Sequence, residues 1–198
     1  DLLYRRLHSL GFESLKQDPG FYGLGLTLGN GEVSLLELTR AYSSFARQGL
    51  YMREKSIHRL LGKDGQEMQT PVRERAERVF SPQVAFIITH ILSDPDARRP
   101  SFGYHNPLVL PFAVAAKTGT SKDFRDNWTV GYSRKFSVGV WVGNFEGEPM
   151  HNVSGISGCG PLFKDIMLLL QEKEPGTEFP EPAGLIRADV CPLSGQKP

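Results

Sequence analysis

The sequence predicts an α+β fold (α/β in the broad sense), an antiparallel sheet flanked by helices, on the strength of two patterns. From Phe136 to Asn144 the residues alternate: Phe136, Val138, Val140 and Val142 share one side, and Ser137, Gly139, Trp141 and Gly143 the other. Two stretches, "GEVSLLELTRAYSSFARQG" and "GCGPLFKDIMLLLQEK", carry apolar residues at helical steps. A sheet that buries its faces under such helices is a stable layered arrangement. With 198 residues the chain can build one ordinary domain around a real core.

Taken in order, residues 2–9 read as a short helix, followed by a loop containing Pro19 and Gly20. In the next helix Leu35, Leu38, Tyr42 and Phe45 fall on one face, and Gly49 suits the left-handed residue that ends it. "SIHRLLGKDGQEM" reads as a hairpin turning at Asp64-Gly65. Ser81-Pro82 is an N-cap followed by proline at the first helical position. The helix they open, "QVAFIITHIL", is apolar on most sides and is expected to be buried. A charged, proline-rich loop from Ser93 to Pro111 leads to three strand candidates: Phe112 to Thr120, Trp128 to Ser133, and Phe136 to Asn144. The last two are joined at Arg134-Lys135 and so should be antiparallel neighbours. The glycine side of the third strand leaves room for a helix to pack closely, and the helix from Gly158 onward, with Pro161 near its start, should cover the sheet. Residues 174–184 have the composition of a linker, which divides the chain into a body at 1–173 and a tail at 174–198.

Composition excludes several function classes. A net charge of +1 gives no broad field for nucleic acid or an acidic membrane. No apolar run is long enough to span a bilayer, and no secretory signal opens the chain, which starts at Asp1 and is therefore expected to be processed or part of something longer. Cys159 and Cys191 form no CxxC pair; they could pair with each other, pair elsewhere or stay reduced. The histidines lack ligand spacing, so no metal or other cofactor is expected.

The chemistry concentrates at Lys117-Thr118-Gly119-Thr120, at the end of the first long strand. Lysine brings a charge with three donors, and the threonines bring directed donors, so the set suits an anion. Gly119 lets a second backbone lie close, as an extended peptide would when it adds to a strand edge. Alternation puts Lys117 on one side and Thr118 and Thr120 on the other, so one ligand reaches all three only along the edge. Three residues such as K-T-G also recur by chance at surface strand ends. The motif is not a P-loop, since no glycine precedes the lysine.

"KTGTSKDFRDNWTVGYS", followed by "FSVGVWVGNF", resembles the third to fifth strands of the penicillin-binding transpeptidase domain, in which KTG is one of three signatures. "GLGLTLGNGEVSLLELTRAYSSFARQG" and "GISGCGPLFKDIM" resemble flanking segments of the same family, in its order, over most of residues 1–172. The pattern is that of class A, bifunctional penicillin-binding proteins; "ADVCPLSGQKP" resembles the start of the extra C-terminal module of their 1C type.

The resemblance implies a beta-lactamase/penicillin-binding transpeptidase-like fold, incomplete at the N-terminus. It implies a serine-type D,D-transpeptidase that cross-links peptidoglycan stem peptides at D-Ala-D-Ala through an acyl-enzyme, and that beta-lactams trap. Lys117 would face the substrate carboxylate and set proton positions, Thr118 and Thr120 would hydrogen-bond that carboxylate, and the backbone N–H of Thr120 would be half of an oxyanion hole. Asp123, Arg125, Asp126 and Trp128 match the family's DxRDxW and would support the strand turn. The partners implied are stem peptides, beta-lactams and the upstream part of the same protein, with a glycosyltransferase domain. The location implied is the periplasmic face of the inner membrane, anchored by an upstream helix. Two N-terminal strands would pair beside the strand from Phe136 to Asn144, whose edge is otherwise bare.

The family also needs SxxK on a helix and SxN on a second segment. No SxN occurs, and SxxK occurs once, at Ser194 to Lys197, downstream of KTG where the family places it upstream. The expectation is a chain that begins just after the SxN segment, holds the substrate-binding wall without a nucleophile, and is inactive alone. A related beta-lactamase or D,D-carboxypeptidase, and a non-catalytic wall-binding or decayed fragment, remain alternatives.

Overall fold

The computed structural model describes residues 2–68, 76–191 and 193–197. Helix α1 (Leu2–Ser9) sets Tyr4 and Leu7 against a cluster of Leu10, Phe12, Leu15, Tyr22, Tyr51 and Val79. The expected loop at Pro19 is helical instead: α2 (Pro19–Tyr22) carries proline in its first turn and runs into a 3-10 turn, Gly23–Leu28. Helix α3 (Leu35–Ala46) starts at a capping box, with Ser34 Oγ accepting from the Glu37 N–H at 3.2 Å and Glu37 Oε2 accepting from the Ser34 N–H at 3.1 Å. Past its end both Gln48 and Gly49 are left-handed, at φ 55° and 87°, so Gly49 closes the helix one residue later than a simple glycine stop.

Strand β1 (Leu50–Tyr51) pairs with β4 (Glu77–Arg78), a two-stranded ribbon the sequence did not announce. The expected hairpin is present, with β2 (Leu60–Leu61) antiparallel to β3 (Glu67–Met68) and Gly65 left-handed in its turn. Ser81 caps α4 (Pro82–Ser93) by accepting from the Val84 N–H at 3.2 Å. Burial of α4 is one-sided, against expectation: only Ala85 and Thr89 are buried, while Ile91 is 57% exposed. The helix lies against the sheet through Thr89, whose hydroxyl pairs with the Tyr132 hydroxyl at 2.8 Å, and its opposite side faces solvent. The expected loop after it contains another helix, α5 (Pro95–Phe102), capped by Asp94 Oδ1 on the N–H groups of Asp96 and Ala97.

The central sheet is three-stranded and antiparallel in the order β5 (Ala115–Thr120), β6 (Asp126–Tyr132), β7 (Ser137–Gly143). Residues Phe112 to Val114 do not join it, because Ala115 already faces Tyr132, the last residue of β6. Val138 and Val140 pack with Cys159, Phe163 and Met167, the last two on helix α6 (Gly160–Lys173), which continues a π-helical turn at Gly155–Cys159. Helix α3 covers the other face. As the glycine pattern implies, a Cβ on Gly139 would strike Thr39 Oγ1 and lie 2.9 Å from Leu35 Cδ1. Gly139→Val is therefore expected to overpack this contact and cost about 1–3 kcal/mol, read as a lower urea midpoint; an unchanged midpoint would mean the α3 contact is not tight. Among the described residues, β7 has no partner on its outer edge.

Residues 174–187 contain no regular element but do not hang free. Lys135 pairs with Glu174 at 2.5 Å, Arg134 donates to Thr177 Oγ1 at 3.1 Å, Phe179 meets the Tyr132 ring at 5.7 Å, and Gln83 donates to the Ala183 carbonyl at 2.8 Å. Cys159 is buried and Cys191 is partly exposed, and both are free thiols.

Candidate functional site

The sequence-predicted ledge lies on β5, an outer strand of the central sheet. Which of its backbone groups face outward follows from register. The Ser121 N–H donates to the Asp126 carbonyl at 2.9 Å, one step beyond the Thr120–Asn127 pair. Hydrogen-bonded pairs alternate in an antiparallel ladder. Lys117 and Gly119 therefore direct their backbone groups at β6, and Thr118 and Thr120 direct theirs at the open edge. The Lys117 ammonium already uses one of these, donating to the Thr118 carbonyl at 2.6 Å.

The open edge borders a cleft of about 500 Å3. Lys117, Thr118, Gly119 and Thr120 form one wall, continued by Trp128 and Val130 of β6. The facing wall comes from residues 28–33 and from Leu38 and Tyr42 of α3. Lys117 and Thr120 are exposed, and Thr118 and Gly119 are half-buried. The cleft thus has an apolar side and a polar rim bearing one cation, Lys117, with Glu32 and Asp126 as its carboxylates. Asp126 is already engaged: its Oδ2 accepts from Ser121 Oγ at 3.0 Å and its Oδ1 from Trp141 Nε1 at 3.0 Å.

Of the four DxRDxW residues, Asp126 and Trp128 line the cleft and Asp123 and Arg125 do not. Asp126 ties the turn between β5 and β6, since its own N–H also donates to Ser121 Oγ at 2.8 Å. Trp128 lines the cleft and sits 6.5 Å from the Trp141 ring across the β6–β7 pair. Asp123 is exposed within that turn at φ 60°, and the exposed Arg125 follows it. Behind the ledge, Cys159 Sγ donates to the buried Asn127 carbonyl at 3.0 Å, and burial pushes the Cys159 thiol pKa up.

Sequence reasoning missed the facing wall at residues 28–33, where the signal was only "LGNGEV" with a left-handed Gly29. It also missed Gly155. The Gly155 N–H donates to Thr120 Oγ1 at 3.0 Å, and its carbonyl accepts from Thr129 Oγ1 at 3.0 Å. Ser194, the serine of the lone SxxK, lies in a tail turn closed by a hydrogen bond from the Gly195 N–H to the Cys191 carbonyl at 2.8 Å, not on a helix.

The fold is shared with solved penicillin-binding proteins. The penicillin-binding protein 1A of Haemophilus influenzae superposes with a TM-score of 0.79 at 17% identity, covering 96% of this chain and 33% of that one. The PonA1 protein of Mycobacterium tuberculosis, solved in complex with penicillin V, gives 0.73 at 22% identity, covering 90% and 52%. Residues 13–168 match the penicillin binding protein transpeptidase domain, and the chain belongs to that family.

Curated relatives include penicillin-binding protein 1C of Escherichia coli (strain K12), 29% identical over 96% of this chain and 23% of the relative. Penicillin-binding protein 1A of Aquifex aeolicus (strain VF5) is 30% identical over 94% of this chain and 26% of the relative. The class A resemblance is borne out, with the 1C and 1A types standing level in identity. The chain spans about a quarter of the length of these relatives and corresponds to the C-terminal part of the transpeptidase domain.

Proposed function

We propose that this chain supplies the wall that grips the acidic end of a stem peptide, or of a beta-lactam that mimics it, in a serine D,D-transpeptidase. The observation that carries the reading is the outward set of backbone groups on Thr118 and Thr120, beside the Lys117 ammonium and above a cleft. An extended peptide can add to such an edge through main-chain bonds while its carboxylate meets Lys117 and the two hydroxyls. The Thr120 N–H, aimed at the same edge, is the donor that a developing oxyanion needs. Asp126 and Trp128 hold the turn and the cleft wall, and Asp123 and Arg125 ride on that turn.

In this reading the attacking serine and its lysine come from upstream polypeptide, joined to a glycosyltransferase domain and a membrane anchor that set the assembly on the periplasmic face. The tail leads into a further module. Among the described residues no helix is long and apolar enough to cross a membrane.

The test is a titration of this chain with an N-acylated peptide ending in D-Ala-D-Ala. Shifts are expected in the amide resonances of residues 117–120, and Lys117→Ala should weaken binding roughly tenfold, the worth of one charge-assisted contact. Shifts elsewhere, with residues 117–120 silent, would reject the assignment. A non-catalytic wall-binding role is the second reading, since the edge at Thr118 and Thr120 can hold a peptide without reacting with it. The labelling experiment in the Discussion separates the two.

A further inference from the structure

We infer that Gly155 is the positioning residue of the ledge: it locks the Thr120 hydroxyl with its proton turned to the ligand's carboxylate. The inference rests on the reading above and adds what orients its key hydroxyl.

Gly155 opens the helical run that becomes α6, so its N–H is one of the first-turn donors with no partner inside the helix. That donor goes to Thr120 Oγ1 at 3.0 Å. A hydroxyl that accepts one bond still has its own proton to give. The donated bond polarises the hydroxyl, and the positive end of the helix adds to the pull, so Thr120 becomes a stronger donor to an anion. The buried Thr129 hydroxyl holds the other side of the same residue by donating to the Gly155 carbonyl at 3.0 Å. Thr129, Gly155 and Thr120 thus form a clamp that ties the start of the helical run to two strands of the sheet.

The clamp closes only around a residue without a side chain. A Cβ on Gly155 would stand 2.5 Å from the Gly119 carbonyl oxygen and 2.6 Å from that of Trp128. Both are backbone atoms of the sheet and cannot swing aside. The closeness that excludes a side chain is also what brings the N–H within reach of Thr120.

The test compares wild type, Thr120→Val and Thr120→Ser, with the N-acylated D-Ala-D-Ala peptide and its C-terminal amide as probes. Valine keeps the shape of threonine and loses the hydroxyl; serine keeps the hydroxyl. Unchanged exchange of the β6 amides shows that each variant is folded. The expected result is that wild type prefers the free acid, that Thr120→Val loses roughly tenfold of that preference, and that Thr120→Ser keeps it. The Gly155 amide should exchange slowly in wild type and the serine variant and roughly tenfold or more faster in the valine variant.

If wild type prefers the acid and Thr120→Val prefers it equally, this inference falls with the Thr120 contact, while the assignment of the carboxylate to Lys117 and Thr118 stands. A Gly155 amide that exchanges freely in wild type also overturns it. If wild type does not distinguish acid from amide, the carboxylate reading itself fails and takes this inference with it.

Discussion

Incubated with excess fluorescent penicillin, this chain is expected to carry no covalent label. A beta-lactam opens only when a nucleophile attacks it, and a serine attacks at neutral pH only with a base beside it. The sequence holds one SxxK, at Ser194, and the structure sets it in a tail turn rather than on a helix facing the ledge. Removing the nucleophile of a serine enzyme costs roughly 10⁶ in rate. A single oxyanion donor such as the Thr120 N–H is worth about 10²–10³, so the wall cannot make up the difference. Supplying the family's SxxK and SxN segments, fused ahead of Asp1, should restore stoichiometric labelling, and Lys117→Ala should then weaken it. Labelling of the chain as it stands would overturn the assignment of the nucleophile to other polypeptide. Failure of the fused form to label would favour the wall-binding reading.

The parts of the fold that were legible follow from local signals confirmed by a neighbour. The valine–glycine alternation of β7 announced both of its faces: one packs on Phe163 and Met167, the other admits α3. The Arg134-Lys135 turn fixed the pairing of β6 with β7, and the register then placed Lys117, Thr118 and Thr120 along one edge. What was not legible depends on contacts far apart in sequence. The apolar composition of α4 cannot say how much of it a neighbour covers; it meets the sheet along Ala85 and Thr89 and leaves Val84, Ile87 and Ile91 in water. Pro95 and Pro100 read as loop residues, yet Asp94 caps the turn, Pro95 suits its first position, and Pro100 is carried inside the helix. Gly155 drew no reading from the sequence, because nothing local marks it as the residue that touches Thr120.

Glu37→Ala is expected to be among the most destabilising single changes in the chain. The residue is only 8% exposed, and its carboxylate gathers donors from two segments. Oε1 accepts from the N–H groups of Glu13 at 2.8 Å and Ser14 at 2.9 Å, while Oε2 accepts from the Ser14 hydroxyl and from the Ser34 N–H at 3.1 Å. The side chain therefore caps α3 and pins residues 13–14, next to the cluster around Phe12 and Leu15. Truncation leaves backbone donors without an acceptor, at about 1–3 kcal/mol each; a total of about 2–4 kcal/mol is expected because the contacts are not additive. Burial pushes the Glu37 pKa up, but the hydrogen bonds from Ser14 and Ser34 outweigh it and hold the pKa below its ordinary value. A carboxyl with a lowered folded pKa stabilises fully above its unfolded value, about 4.3, and the contribution is lost as pH falls through the folded value. Wild type should therefore lose stability between neutral pH and pH 3 by more than Glu37→Gln does, since the amide has no proton to take up. Urea unfolding of both proteins at the two pH values measures the difference. Parallel losses in both would show that Glu37 carries no part of the acid sensitivity, and a Glu37→Ala variant as stable as wild type would remove the carboxylate from the support of α3 altogether.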